Sequence, residues 1–222
     1  MVNIKSFSII DHQHIKGNIH IVGVGALGSM IAEQLIRLNL TSKIIVYDMD
    51  EVEEKNLNNQ AYLYSHIGKS KVEAMQELAK LIDPTESLRG RVKKVEELTT
   101  TDDDIVILAI DSFESRVKIL ESIKTDPLVI SGGISSIGGN IEVTRGSKNC
   151  QTLADEYKNT PDTGEYDEND LTPCGSPISI YHRIRVASSI ACESLIKYYK
   201  ETENMLINIV FDVPNLIFIT TK

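Results

Sequence analysis

Ile19-His20-Ile21-Val22-Gly23-Val24-Gly25-Ala26-Leu27-Gly28 runs from an almost wholly apolar segment into three closely spaced glycines. From Leu27 onward, Met30, Ile31, Leu35 and Leu38 recur at helical spacing. A buried strand that turns tightly into an amphipathic helix is the reading. Glycines at such a turn let backbone N–H groups approach a phosphate, and the helix N-terminus adds positive potential there. Gly23, Gly25, Ala26, Leu27 and Gly28 are therefore candidate phosphate-binding positions. Asp48 lies twenty residues beyond Gly28, at the end of a second strand over Lys43 to Tyr47. An acid at that place hydrogen-bonds ribose hydroxyls and repels a 2′-phosphate, which favours ATP or NAD over NADP.

Working outward, strand-like and helix-like patterns alternate through the chain. A helix is expected from about Lys69 to Leu81, with Val72, Met75, Leu78 and Ala79 on one face, ending at Asp83-Pro84. Arg91 to Val95 and Ile105 to Ile110 read as strands, Ser112 to Lys124 as a helix, Leu128 to Ser131 and Asn140 to Thr144 as strands. Ser147 to Thr172 holds Asp155, Glu156, Asp162, Glu165, Asp167, Glu168 and Asp170 among few aliphatics, so a mobile acidic loop is expected over about 147–173. Ser176 and Pro177 then open a long helix with Ile180, Ile184, Ala187, Ala191, Leu195 and Tyr198 on one stripe. Ile207 to Phe211 and Leu216 to Thr220 flank Asp212-Val213-Pro214-Asn215 as a hairpin. The fold class is α/β: a Rossmann-like, mostly parallel sheet with helices on both faces and a C-terminal antiparallel β-hairpin.

The chain has 222 residues, 41% hydrophobic and 25% charged, which suits one core and one domain over 1–222. No run of eighteen apolar residues occurs, and Met1 to Ile10 lacks the pattern of a secretory signal, so a cytoplasmic protein away from the membrane is expected. A formal charge of −9 opposes a nucleic-acid surface. Cys150, Cys174 and Cys192 form no C-x-x-C pair, so no structural zinc is expected.

The stretch Asp48-Met49-Asp50-Glu51-Val52, then Asn56-Leu57-Asn58-Asn59-Gln60, followed by Gly68 and Lys71, resembles the ThiF/MoeB superfamily pattern D-x-D-x-V-x-x-x-N-L-x-R-Q with a trailing G-x-x-K. Ala109-Ile110-Asp111 with Arg116 is similar to that family's strand-end aspartate and arginine. Ala191, Glu193 and Lys197 are similar to its last helix. The resemblance covers residues 17 to 200. It implies an ATP-dependent adenylyltransferase that activates a carboxylate, the C-terminus of a ubiquitin-like protein or peptide, and that works as a homodimer with ATP and Mg²⁺. Gly23, Gly25 and Gly28 would hold the phosphates and Asp48 the ribose. Asp50, Asn56, Asn59, Gln60 and Lys71 would line the nucleotide site, with Asn56 and Lys71 on the phosphates, and Asp111 would hold Mg²⁺. Charge that builds on the phosphates during adenylation calls for a cation, a metal and fixed donors. Asp111 has a second reading as the cap of the following helix.

Asn59 stands where the family carries an arginine, and Met1 to Lys16 contains no arginine either. Lys55, Lys69 and His14 are the cations left to compensate. Cys174, in Pro173-Cys174-Gly175-Ser176-Pro177, is the candidate thioester nucleophile, because a helix N-terminus lowers a thiol pKa. Two alternatives stay open: a catalytically weakened nucleotide- or partner-binding scaffold of the same fold, and an NAD-dependent oxidoreductase.

Overall fold

The computed structural model describes residues 15–39, 43–85, 88–135, 138–160 and 181–221. Apolar runs fully buried on both sides form its centre: β1 (Ile19–Val22) lies between β2 (Ile44–Asp48) and β4 (Ile105–Leu108), parallel to both. Near-continuous Ile and Val runs are what a strand covered on both faces requires. On the other side of β2 runs β3 (Arg89–Val92), also parallel. Beyond β4 comes β5 (Leu128–Ile134), and β6 (Gly138–Arg145), β7 (Met205–Asp212) and β8 (Ile217–Thr221) follow, each antiparallel to its neighbour. One eight-stranded sheet results, in the order β3-β2-β1-β4-β5-β6-β7-β8. The expected hairpin is β7 and β8, at the sheet edge.

Helices α1 (Ala26–Leu38), α2 (Lys71–Ile82) and α5 (Tyr181–Tyr198) pack on one face, where Ile31, Leu35, Met75, Ala187 and Leu195 meet Ile19, Ile21, Ile107 and Ile130. On the other face α3 (Phe113–Ser122) and α4 (Ser147–Asn159) bury Ile119, Leu120, Leu153 and Tyr157 against Val106, Leu108 and Val129. The α2 helix ends at Asp83, as the following proline dictates.

Two sequence expectations need correction. The acidic loop over about 147–173 begins instead as α4, because Cys150, Leu153, Ala154 and Tyr157 fall at i, i+3, i+4 and i+7 and bury one stripe while the acids face outward. The rest of that stretch, residues 161–180 with Cys174, Ser176 and Pro177, lies outside the described residues. Strand β3 starts at Arg89, two residues before the expected Arg91, because its limits come from pairing with Ile45 to Asp48 and not from its own polar sequence.

Candidate active site

Strand order reverses between β1 and β4, so the connections leaving them diverge to opposite faces and open a crevice at their carboxyl ends. The glycine loop lines it. Gly23 adopts φ +86°, and a Cβ there would lie 2.6 Å from Ala109 O and 2.7 Å from Ile110 Cγ2. Only glycine fits so close a passage. A Cβ on Gly28 would lie 1.9 Å from Gly23 O, which sets how tightly α1 seats on β1. At Gly25, by contrast, an added Cβ meets nothing within 4 Å. Gly25 is the N-cap of α1, and no side chain among the described residues caps the helix. The first-turn N–H groups of Ala26 and Leu27 have no carbonyl one turn back. Open space over an uncapped helix N-terminus fits a phosphate.

Asp48, at the end of β2, braces this loop. Its Oδ2 accepts from Val24 N–H at 2.8 Å and its Oδ1 from Asp50 N–H at 2.9 Å. Lys71 opens α2 just after its N-cap Ser70. Its backbone N–H donates to Asp50 O at 2.9 Å, and its Nζ donates to Asp50 Oδ2 at 2.9 Å. The Lys71 side chain is 10% exposed and that of Asp50 57%. Glu51 and Ser70 bridge the same two segments. Tyr62 completes the frame, donating its hydroxyl to Val24 O at 2.6 Å. Burial, with Asp48 and Asp50 nearby, pushes the Tyr62 phenol well up, so it stays a donor. Tyr62 was not singled out in the sequence, where it and Tyr64 stand in a connection without a helical or strand period.

Asn56, Asn59 and Gln60 lie on the short 3₁₀ turn Glu54–Asn58 and just after it. Asn56 is buried, and its Oδ1 accepts from Glu53 N–H at 2.8 Å. Gln60 is buried too, and its Oε1 has no hydrogen-bond partner among the described residues. Ala61 N–H donates to Ser29 Oγ at 3.1 Å and ties this turn to α1. Asp111 is exposed just past β4, next to Ile110, which packs on the Gly23 position. Its alternative role as helix cap falls to Ser112, whose side chain accepts from Ser115 N–H. Among the described residues no group of three or more His, Cys, Asp or Glu could hold a metal by itself. Mg²⁺ is commonly held by one or two carboxylates plus phosphate oxygens, so the lack of a larger cluster does not exclude a single exposed carboxylate such as Asp111.

Two of the candidate compensating cations are engaged elsewhere: Lys55 with Glu53 at 3.0 Å, and Lys69 with Glu77 at 2.6 Å. His14 lies outside the described residues. Cys150 and Cys192 are buried, and burial pushes both thiols up to about 12, so neither is a nucleophile near neutral pH.

Ubiquitin-like modifier-activating enzyme 5 of Dictyostelium discoideum is 29% identical over 160 residues, 64% of this chain and 39% of that protein. The Drosophila mojavensis protein of the same name is 30% identical over 155 residues, 61% of this chain and 39% of that protein. The chain spans about two fifths of the length of these relatives. Among solved structures, E. coli MccB with ATP superposes with a TM-score of 0.70 at 15% identity, over 95% of this chain and 65% of that one. PaaA does so with a TM-score of 0.69 at 14% identity, over 95% and 74%. Likeness at such identities speaks to the fold. The family profile described as ThiF family matches residues 11–210, glycine loop, Lys71 and Asp111 included, and on that match the chain belongs to the ThiF family.

Proposed function

We propose that this chain is an ATP-dependent adenylyltransferase that activates a carboxylate as an acyl adenylate. The observation that carries the reading is a nearly buried lysine, Lys71, held by Asp50 beside an open and uncapped glycine loop. A carboxylate oxygen of the substrate bonds to the α-phosphorus, the bond from that phosphorus to the bridging oxygen breaks, and pyrophosphate leaves with the electron pair. Negative charge grows on the leaving group. The N–H groups at the start of α1 and the Lys71 ammonium meet it in a site shaped before the reaction, which is where fixed donors contribute most. Asp48 orients the ribose while it holds the loop. Asp111 would hold Mg²⁺, whose chemistry is neutralisation of phosphate charge.

The substrate we infer is the free C-terminus of a ubiquitin-like protein or a peptide. The names of the relatives support the first, and a structure of E. coli MccB with AMPCPP and MccA shares this fold with a TM-score of 0.71 at 14% identity. A homodimer and a later thioester on Cys174 or a sulfur transfer belong to the same reading. A second reading, a nucleotide- or partner-binding scaffold, is supported by the resemblance, which puts an arginine where this chain has Asn59, and by the pairing of Lys55 with Glu53 and of Lys69 with Glu77. ATP–pyrophosphate exchange with candidate carboxylate donors separates the two.

A further inference from the structure

Behind the crevice lies a chain of buried polar groups that the reaction above does not use. Arg116, on α3, is 5% exposed. Its Nε donates to Ile110 O at 2.8 Å, its Nη1 to Ser131 Oγ at 3.0 Å and its Nη2 to Gly132 O at 2.6 Å. Those acceptors touch the site from two sides. Ile110 packs on Gly23 and precedes Asp111, and an added Cβ on Gly132 would lie 2.4 Å from Leu27 Cδ2 of the phosphate loop. The far end of the chain is fixed by Tyr157 on α4, whose hydroxyl lies 2.7 Å from Ser131 Oγ and donates to Glu142 Oε2 at 2.9 Å. The Arg116 guanidinium also sits over the rings of Phe113 and Tyr157, 5.8 and 5.7 Å from their centroids.

We infer that Tyr157 is a positioning residue for Asp111: through Ser131 and Arg116 its hydroxyl holds the backbone at Ile110, and so sets where the Asp111 carboxylate stands for the metal. A guanidinium has donors in a rigid fork, so shifting one acceptor shifts the others. Ser131 Oγ is the acceptor that Tyr157 fixes. Groups one step behind a metal-binding carboxylate tune its affinity because they orient it. The inference rests on the adenylation reading, in which Asp111 holds Mg²⁺.

Tyr157→Phe tests it, since the ring and its stacking remain and only the hydroxyl goes. ATP binding to the full chain is titrated calorimetrically without Mg²⁺ and across a Mg²⁺ series, and amide hydrogen exchange of the ligand-free protein is followed at residues 110–112. The expected result is unchanged Mg²⁺-free binding, a Mg²⁺ requirement raised about tenfold, and faster exchange at 110–112. Ser131→Ala should give the same pattern, with Mg²⁺-free binding unchanged and the other two readouts moved, and serves if Tyr157→Phe folds poorly. Equal weakening with and without Mg²⁺ would assign the hydroxyl a structural role only, and overturns the inference. So does a variant with the wild-type Mg²⁺ requirement in a protein whose ATP binding is Mg²⁺-dependent. Wild-type protein whose ATP binding ignores Mg²⁺ removes the metal from the adenylation reading, and the inference falls with it.

Discussion

Lys71 Nζ stands 2.9 Å from Asp50 Oδ2, with the lysine nearly buried and the aspartate open to solvent. The pair sits on two segments already joined backbone to backbone, so the ammonium is aimed by its frame before any nucleotide arrives. On the proposed reading Asp50 is a resting partner that phosphate oxygens displace. Asp50→Ala removes both the aim and a competing negative charge. The two effects offset in ground-state binding but not in the transition state. Expected is a fall of about tenfold in kcat for pyrophosphate exchange with KM for ATP changed less than about threefold, measured by steady-state kinetics.

The glycine loop separates stability from binding. Gly28→Ala places a methyl 1.9 Å from Gly23 O and forces the helix off the strand, which costs about 1–3 kcal/mol in urea unfolding. Gly25→Ala meets nothing within 4 Å and should cost less than about 1 kcal/mol. Its methyl occupies the space over the helix N-terminus, so ATP affinity falls about tenfold or more by calorimetry. Equal stability losses in the two variants would contradict this geometry.

Restoring the family arginine should speed the reaction. Losing one preorganised donor to a developing charge costs about 10²–10³-fold, and on the proposed reading Asn59, just after the turn Glu54–Asn58, stands where the resemblance places an arginine. Asn59→Arg is expected to raise the exchange rate at least about tenfold with little change in melting temperature. An unchanged rate would mean that another group already meets the pyrophosphate charge.

Acid should loosen the opposite end of the sheet. His20 Nδ1 shares a hydrogen bond of 2.9 Å with Tyr47 Oη, and its Nε2 lies 3.8 Å from Asp104 Oδ2. Burial outweighs the Asp104 charge and lowers the His20 pKa from 6.5. The unfolded chain therefore takes the proton first as pH falls. This contribution to stability is intact above about pH 6.5 and declines below it. His20→Gln should reduce the loss in urea midpoint between about pH 7.5 and about pH 5.5, relative to the unmodified protein.

Which parts of this were legible in the sequence follows from how locally each is encoded. The glycine loop, Asp48, Lys71 and Asp111 are set by spacing against strands and helices whose periodicity is strong: Asp48 reaches Val24 of the loop, Lys71 reaches Asp50, and Asp111 follows Ile110, which packs on the Gly23 position. Helix α4 was hidden because it reads as one piece with the acidic residues 162–170 that follow it, although its own Asp155 and Glu156 are balanced by Lys148 and Lys158. The signal lay in the period of Cys150, Leu153, Ala154 and Tyr157, which a count of aliphatic residues passes over. With α4 went Tyr157, and with Tyr157 the support behind Arg116. The pairing of Asp50 with Lys71 and the reach of Tyr62 to Val24 join residues 21 and 38 positions apart, so no local pattern announces them.

ATP–pyrophosphate exchange is the most direct test of the central claim, run with Mg²⁺, ubiquitin-like proteins or peptides bearing free C-termini, and Lys71→Ala beside the unmodified chain. Adenylation predicts donor-dependent exchange that falls at least about 10²-fold in Lys71→Ala. Tight ATP binding with no exchange for any donor, or exchange that survives the loss of Lys71, would contradict it.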